Sequence, residues 1–325
     1  MSSTKNKIFF RADGDSTIGM GHVVRCQALM EMLKDEFDCT FIPQHEGALE
    51  MLAKRLTKSD VLVVDGYGFD AAYQKKAKTL VKKLVLIDDI ADKHYYADLI
   101  INHGDPSIRD KYNTESYSKL LLGPDYLMLR KAFLDRSAKQ DKIEQIHTAF
   151  ICMGGADPFC VTAKCVAAAL QCAFIKKLII VTGSAFKGDD ELNNLLTSNS
   201  GETSISREKD VDAKKMVELI RESQIAICPS STVSLEICAV GCGLLTGMVA
   251  DNQINIHEQI VNAGCCKSIG DLKSITVEGL REVIMNFNDV MIINDMLEKQ
   301  SHFIDGRSGE RILKAFKELI NSAEV

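Results

Sequence analysis

Short apolar runs that end in Asp, Asn or Gly alternate with longer stretches of helical spacing along almost the whole chain. A run of four to eight apolar residues suits a strand buried on both faces, and its alternation with helix-length segments marks βα units around a parallel sheet. Strands are therefore predicted at Ile8 to Arg11, Cys39 to Ile42, Val61 to Asp65, Leu84 to Asp88 and Leu99 to Asn102. The theme starts again with Thr148 to Met153, Leu178 to Val181, Ile225 to Cys228 and Leu244 to Met248. Between the two series lies Asp135 to Gln145, a charged stretch without strand character and the predicted linker.

The pattern implies an α/β chain of two domains, residues 1–140 and 146–325, with the last helices packing back on the first domain. A length of 325 residues agrees with two domains of roughly 150. Composition then removes several function classes. The net charge is −6 and the lysines are scattered among acidic residues, so no basic stripe marks a nucleic-acid partner. No run reaches the roughly 18 apolar residues of a membrane span, and the polar start of the chain carries no signal peptide, so a cytoplasmic protein is expected. The 11 cysteines sit mostly in apolar runs, among them Cys152, Cys165, Cys172, Cys228 and Cys238, where they act as small hydrophobes. Cys238 with Cys242, and Cys265 with Cys266, lack a second ligand pair at zinc spacing. No metal and no cofactor are expected, and without a heptad pattern a monomer is expected.

Parallel sheets of this kind bind ligands beyond the carboxyl ends of their strands, near helix starts, so the residues following each strand are the candidates. After the first strand come Asp13, Gly14 and then Ile18-Gly19-Met20-Gly21-His22 at the start of a helical run. Glycines let a backbone approach a ligand, and a histidine at that place is either a general base or a capping or core residue. Gly66-Tyr67-Gly68 follows the Val61–Asp65 strand, and Tyr67 either reaches the same surface or packs between helices. Asp88-Asp89 reads as paired acids or, more simply, as a cap. In the second half, Gly154-Gly155-Ala156-Asp157 follows one strand and Pro229-Ser230-Ser231-Thr232 another, with Glu236 one turn further on. Hydroxyls and free N–H groups at such a helix start suit a diphosphate, Glu236 suits ribose hydroxyls, and the amides of Asn252 and Gln253 suit sugar or base groups. An ordinary N-cap with a solvated Glu is the plainer alternative.

Taken in order, Gly19-Met20-Gly21-His22-Val23-Val24-Arg25-Cys26, Asp65-Gly66-Tyr67-Gly68, Gly123-Pro124-Asp125-Tyr126-Leu127-Met128-Leu129-Arg130, Cys152-Met153-Gly154-Gly155-Ala156-Asp157 and Ser231-Thr232 to Glu236 with Asn252-Gln253 form a set. That set resembles the UDP-2,4-diacetamido-2,4,6-trideoxy-β-L-altropyranose hydrolases of pseudaminic acid biosynthesis. The resemblance implies a GT-B fold, two Rossmann-like domains with parallel sheets facing a cleft. It implies His22 as catalytic base, a metal-independent inverting hydrolysis, and a UDP-sugar substrate. UDP would lie mainly on the second domain, at Gly154, Gly155, Ser231, Thr232 and Glu236 with Asn252 and Gln253 nearby. Asp13, Gly21, Arg25 and Tyr67 would line the substrate site of the first domain. One position departs from the family pattern: Gly66 stands where a histidine is common. A GT-B glycosyltransferase that uses a UDP-sugar, a hydrolase of a related UDP-sugar in another nonulosonic acid pathway, and a non-catalytic sugar-nucleotide binder are the alternatives.

Overall fold

The computed structural model describes residues 5–14, 20–135, 140–198 and 201–322, and all nine predicted apolar runs are strands in it. Ile18 and Gly19 of the first glycine-rich turn, and residues 136–139 of the predicted linker, lie outside the described residues. The chain divides into two units, Met1–Lys131 with Arg307–Val325 (unit 1) and Ala132–Gly306 (unit 2).

Unit 1 runs β1 (Lys7–Ala12), α1 (Gly21–Leu33), β2 (Asp38–Ile42), α2 (Leu49–Leu52), β3 (Val61–Asp65), α3 (Ala71–Lys78), β4 (Lys83–Ile87), β5 (His94–Tyr95), β6 (Leu99–Asn102), β7 (Asn113–Thr114) and β8 (Lys119–Leu122). Six strands form one parallel sheet in the order β2-β1-β3-β4-β6-β8, and β5 and β7 make a separate two-residue ribbon. The sequence of β3 and β4 is continuously apolar because both faces of the sheet are covered. Val61 and Val63 enter one core with Phe10, Leu29 and Ile101; Leu62 and Val64 enter the other with Leu86, Tyr95 and Ile100.

After α4 (Lys131–Leu134), unit 2 runs β9 (Thr148–Cys152), α5 (Val161–Leu170), β10 (Lys177–Thr182), α6 (Asp189–Ser198), β11 (Ser204–Lys209), α7 (Ala213–Arg221), β12 (Ile225–Pro229), α8 (Thr232–Val240), β13 (Gly243–Met248), α9 (Ile254–Asn262), β14 (Lys267–Asp271), α10 (Val277–Asn286) and α11 (Val290–Phe303). Its sheet is also parallel, ordered β11-β10-β9-β12-β13-β14. The last helix, α12 (Ser308–Asn321), belongs to unit 1 and adds Ile312, Phe316, Leu319 and Ile320 to the core that holds α1.

Three sheet strands went unread in the sequence, β8, β11 and β14, and all three are edge strands. An edge strand is covered less and needs no apolar run, so Ser204–Lys209 keeps Arg207, Glu208 and Lys209 half-exposed or exposed. Residues 140–147 form neither helix nor strand and are tied to the rest of unit 2. Gln140 N–H donates to Val240 O at 2.7 Å, and Asn294 exchanges two hydrogen bonds with the backbone of Ile143. Cys152, Cys165, Cys172, Cys228 and Cys238 are buried and take part in no disulfide. Among the described residues no helix is long and apolar enough to cross a membrane.

Candidate functional site

In a doubly wound sheet the crevice for a ligand opens where the strand order reverses, because the loops leaving the two strands there turn to opposite faces. That point falls between β1 and β3 in unit 1 and between β9 and β12 in unit 2.

In unit 1 the chain leaves β1 at Asp13 and β3 at Gly66. Helix α1 starts at Gly21, its N-cap residue Met20 makes no side-chain cap hydrogen bond, and it carries His22 and Arg25 on one face, three residues apart. Both reach the carboxylate of Asp65, the last residue of β3 and fully buried. His22 Nδ1 lies 2.7 Å from Asp65 Oδ1, while Arg25 forks onto the same group through Nε to Oδ2 and Nη2 to Oδ1, each at 2.6 Å. Since Oδ1 accepts from Nδ1–H as well as from Nη2, the imidazole is assigned the tautomer whose lone pair is on Nε2. The 3.0 Å approach of Nη2 to Nδ1 follows from two donors converging on one oxygen.

Arg25 also donates through Nη1 to Asp89 Oδ1 at 2.5 Å. Burial works against the charge on both partners. For Arg25 the attraction of Asp65 and Asp89 wins and holds the guanidinium firmly ionised. For Asp89 the nearby Arg25 charge wins and brings the carboxyl down to about 2. His103, just past β6, is buried against the same group, and its pKa falls to about 4, first from desolvation and then from Arg25. Tyr67 sets the edge of its ring against His22, with centroids 4.8 Å apart and planes at 83°, and its hydroxyl is 3.5 Å from Asp89 Oδ2. It is 38% exposed where His22 is 6% exposed, so Tyr67 forms the outer wall of the cluster.

Asp13 pairs with Arg11 at 2.7 Å. Its carboxylate stands where a side chain at residue 66 would begin: a Cβ built on Gly66 meets Asp13 Oδ2 at 2.3 Å, and φ there is +152°. A glycine is needed at this position for two separate reasons. His45, by contrast, is exposed beside Glu46 and takes no part in the cluster.

The acidic pair after β4 divides its roles. Asp88 is the turn cap, accepting from the backbone of Ile90 and Ala91 and from the hydroxyls of Tyr95 and Tyr112. Asp89 is a member of the cluster. In the sequence Asp89 reads only as half of an acidic pair or a cap, and neither Asp65 nor His103 is assigned a role, although a lone acid closing an apolar strand, as Asp65 closes β3, is a readable sign of a site residue.

In unit 2, Gly154 (φ +83°) and Gly155 follow β9, and open space lies where a Cβ would be on either. Beside them the backbone of Gly183, after β10, comes so close that its Cβ would fall 2.5 Å from Gly155 Cα. The start of α5 is closed by Asp157, whose carboxylate accepts from Val161 N at 2.9 Å and Thr162 N at 2.7 Å. The start of α8 is different. Ser231 is its N-cap but makes no side-chain cap hydrogen bond, so the first-turn N–H groups after Ser231 and Thr232 keep their outward donors. Glu236 is buried one turn into α8. After β13, Asn252 is exposed, while the side-chain oxygen of Gln253 accepts from Val249 N–H at 2.8 Å. The structure thus gathers His22 and Arg25 on Asp65 with Tyr67 against His22, and in unit 2 the glycine turn and the α8 start follow the neighbouring strands β9 and β12. Among the described residues no group of three or more His, Cys, Asp or Glu is arranged to hold a metal ion.

Two parallel Rossmann-like units define an α/β protein of the GT-B class, and solved structures of that fold match nearly all of the chain. MurG of Acinetobacter baumannii superposes with a TM-score of 0.68 over 96% of this chain and 99% of its own, at 11% identity. A UDP-glucosyltransferase from Polygonum tinctorium gives 0.64 over 99% and 100%, at 11%, and Staphylococcus aureus MnaA with UDP gives 0.63 over 97% of each, at 13%.

Among curated relatives the chain is similar to the UDP-2,4-diacetamido-2,4,6-trideoxy-β-L-altropyranose hydrolase of Campylobacter jejuni, the family its motifs resemble. They are 28% identical over 171 residues, 46% of this chain and 61% of that enzyme. The spore coat polysaccharide biosynthesis protein SpsG of Bacillus subtilis is 27% identical over 80% of this chain and 82% of its own length. An uncharacterized protein of Methanocaldococcus jannaschii is 26% identical over 72% of this chain, and the match spans about half, 54%, of that longer protein. No protein-family model matches the chain.

Proposed function

We propose that the chain hydrolyses UDP-2,4-diacetamido-2,4,6-trideoxy-β-L-altropyranose at the anomeric carbon, with His22 as the general base. The observation that carries this is the His22–Asp65 pair at 2.7 Å on the ligand-binding edge of a parallel sheet. A buried carboxylate on Nδ1 fixes the ring and leaves Nε2 to take a proton from water. As it does so, the water oxygen bonds to the anomeric carbon, the bond from that carbon to the UDP oxygen breaks, and configuration inverts. UDP departs with the bonding electrons. We assign the charge that develops on its diphosphate to the backbone donors at the start of α8 and the glycine turn after β9, so the step requires no divalent cation. Tyr67, Arg25 and Asp13 are assigned to the sugar side, and Glu236, Asn252 and Gln253 to ribose and base. The similarity to the Campylobacter jejuni hydrolase supports the choice of substrate.

A second reading is transfer of the sugar to an acceptor hydroxyl, which the likeness to a UDP-glucosyltransferase fold favours equally. The test is UDP release from this substrate with no acceptor present, for the native chain and His22→Asn at equal folded concentration. Hydrolysis requires rapid release that falls by about 10²- to 10⁴-fold in the variant while UDP still binds. UDP binding without release points to the transferase or to a non-catalytic sugar-nucleotide binder. Faster release from a stereoisomeric UDP-sugar moves the enzyme to another nonulosonic acid pathway.

A further inference from the structure

We infer that His257 is a positioning residue for the ligand at the start of α8, acting through Ser230. The inference rests on assigning a diphosphate to that helix start. His257 lies on α9, is 8% exposed, and stands outside the set of residues assigned to the substrate. Its Nδ1 is 2.7 Å from Ser230 Oγ and its Nε2 is 2.9 Å from Ser268 Oγ on β14. Ser230 Oγ is in turn 3.1 Å from Thr246 Oγ1 on β13.

The direction of every bond in this chain can be worked out, because each hydroxyl has one proton. Thr246 gives its proton to the carbonyl of Cys228 at 2.9 Å, so it accepts from Ser230. Ser230 has then used its proton, and the short contact to Nδ1 is donated by the imidazole. At the other end Gly270 N–H donates to Ser268 Oγ at 3.1 Å, leaving the Ser268 proton for Nε2. The relay therefore runs from Gly270 N–H through Ser268, His257, Ser230 and Thr246 to Cys228 O, and it is complete with a neutral ring. Burial lowers the pKa of His257, which agrees with that state.

The relay ties β14, α9 and β13 to the single turn that precedes α8. Ser230 is also held through its own N–H, which donates to Gly247 O at 2.8 Å. The next residue, Ser231, is the N-cap that lacks a side-chain hydrogen bond to its helix. The aim of the first α8 N–H groups is thus set from behind, by Ser230, and not by a cap in front. Misplacing these donors costs anion affinity because hydrogen-bond strength falls steeply with angle.

The test is titration calorimetry of UDP and of uridine with the native chain, His257→Leu, His257→Asn, Ser230→Ala and the milder Ser268→Ala, with thermal melts as the fold control. His257→Leu and Ser230→Ala are expected to weaken UDP about tenfold, the scale of one buried hydrogen bond, and to leave uridine unchanged. His257→Asn keeps a donor toward Ser230 and recovers most of the affinity. UDP binding equal to native in both disruptive variants overturns the inference, as does an equal loss of UDP and uridine or no recovery in the Asn variant. A native chain that binds no UDP overturns the diphosphate assignment itself, and the inference with it.

Discussion

At the β1/β3 switch point of unit 1, one arginine, two carboxylates and two histidines sit in hydrogen-bond or charge contact. At the β9/β12 switch point of unit 2 the donors are glycine backbone, hydroxyls and one neutral imidazole, while the Asp157 carboxylate is turned onto the start of α5 and Glu236 is buried within α8. Same fold and same place in the topology, they differ in what they can do to a bound molecule. Fixed charges around an imidazole settle where a proton goes, whereas uncharged donors on a rigid turn hold an anion without exchanging protons with it. The helix starts repeat the contrast within unit 2. α7, α10 and α11 are closed by Asp212, Thr276 and Asp289, and α5 by Asp157, while α8 at the switch point, like α9 after it, has an N-cap residue that makes no side-chain cap hydrogen bond.

The largest effect should come from Asp65, which serves His22 and Arg25 together. Asp65→Asn removes the charge from a fully buried site and leaves Arg25 with Asp89 as its remaining carboxylate in this cluster. Breaking such a pair typically costs about 3–5 kcal/mol, and losing the group that orients a base lowers turnover by about 10²- to 10⁴-fold. Urea unfolding and UDP release should both register it. A variant with native stability and rate would remove the reason for placing chemistry in unit 1.

The next effect is the acid sensitivity of unit 1. His103 has its pKa lowered to about 4 in the fold, so the unfolded chain binds the proton first as pH falls. Its contribution is complete above about 6.5 and is lost between there and about 4. Asp89, at about 2, adds a further loss below the ordinary carboxylate range, in the same direction. At about 1.4 kcal/mol per pKa unit, unit 1 should lose a few kcal/mol between pH 7 and pH 4. Hydrogen exchange at α1 amides measures it, and His103→Gln should flatten the profile between pH 6.5 and 4. An unchanged profile would show that His103 is not the group titrating.

A smaller effect concerns Gly66. Gly66→Ala forces a side chain into a positive φ and into the Asp13 carboxylate, for a cost of roughly 1–3 kcal/mol. Adding Asp13→Gly should restore the part due to the clash and leave the part due to φ. A double-mutant cycle separates the two, and strict additivity would mean that Asp13 does not occupy that space.

The strands at the centre of both sheets were legible because burial on two faces demands continuous apolar runs, and the loops after them followed from the topology. Of the edge strands only β2 was legible, and β11 and β14 escaped because they mix charged and small residues that an edge tolerates. For the site, His22 and Tyr67 stand at glycine-flanked positions after strands, and Arg25 came only with the resemblance. Of their partners, Asp65 shows in the sequence only as a lone acid closing an apolar strand and Asp89 only as half of an acidic pair, until the fold brings Arg25 between them. The departure at Gly66 acquires a physical cause only in three dimensions, where Asp13 occupies the space. The Ser230–His257 contact joins residues 27 apart that no local pattern links.

The smallest effect is the sharpest test of the comparison. In an ordinary helix, replacing a Ser or Thr N-cap with Ala costs about 1 kcal/mol, because a backbone donor loses its partner. Thr276 is such a cap, accepting from Gly279 N–H at 3.0 Å, and Thr276→Ala should show that loss in urea unfolding. Ser231 makes no such bond, so Ser231→Ala should change stability by less than about 0.5 kcal/mol. If the α8 start is kept open for an anion, the same substitution should still weaken UDP, since its hydroxyl adjoins the donors that would hold the diphosphate. Equal stability losses for the two variants would mean that Ser231 caps its helix in solution. The α8 start would then be no more available to a ligand than that of α10.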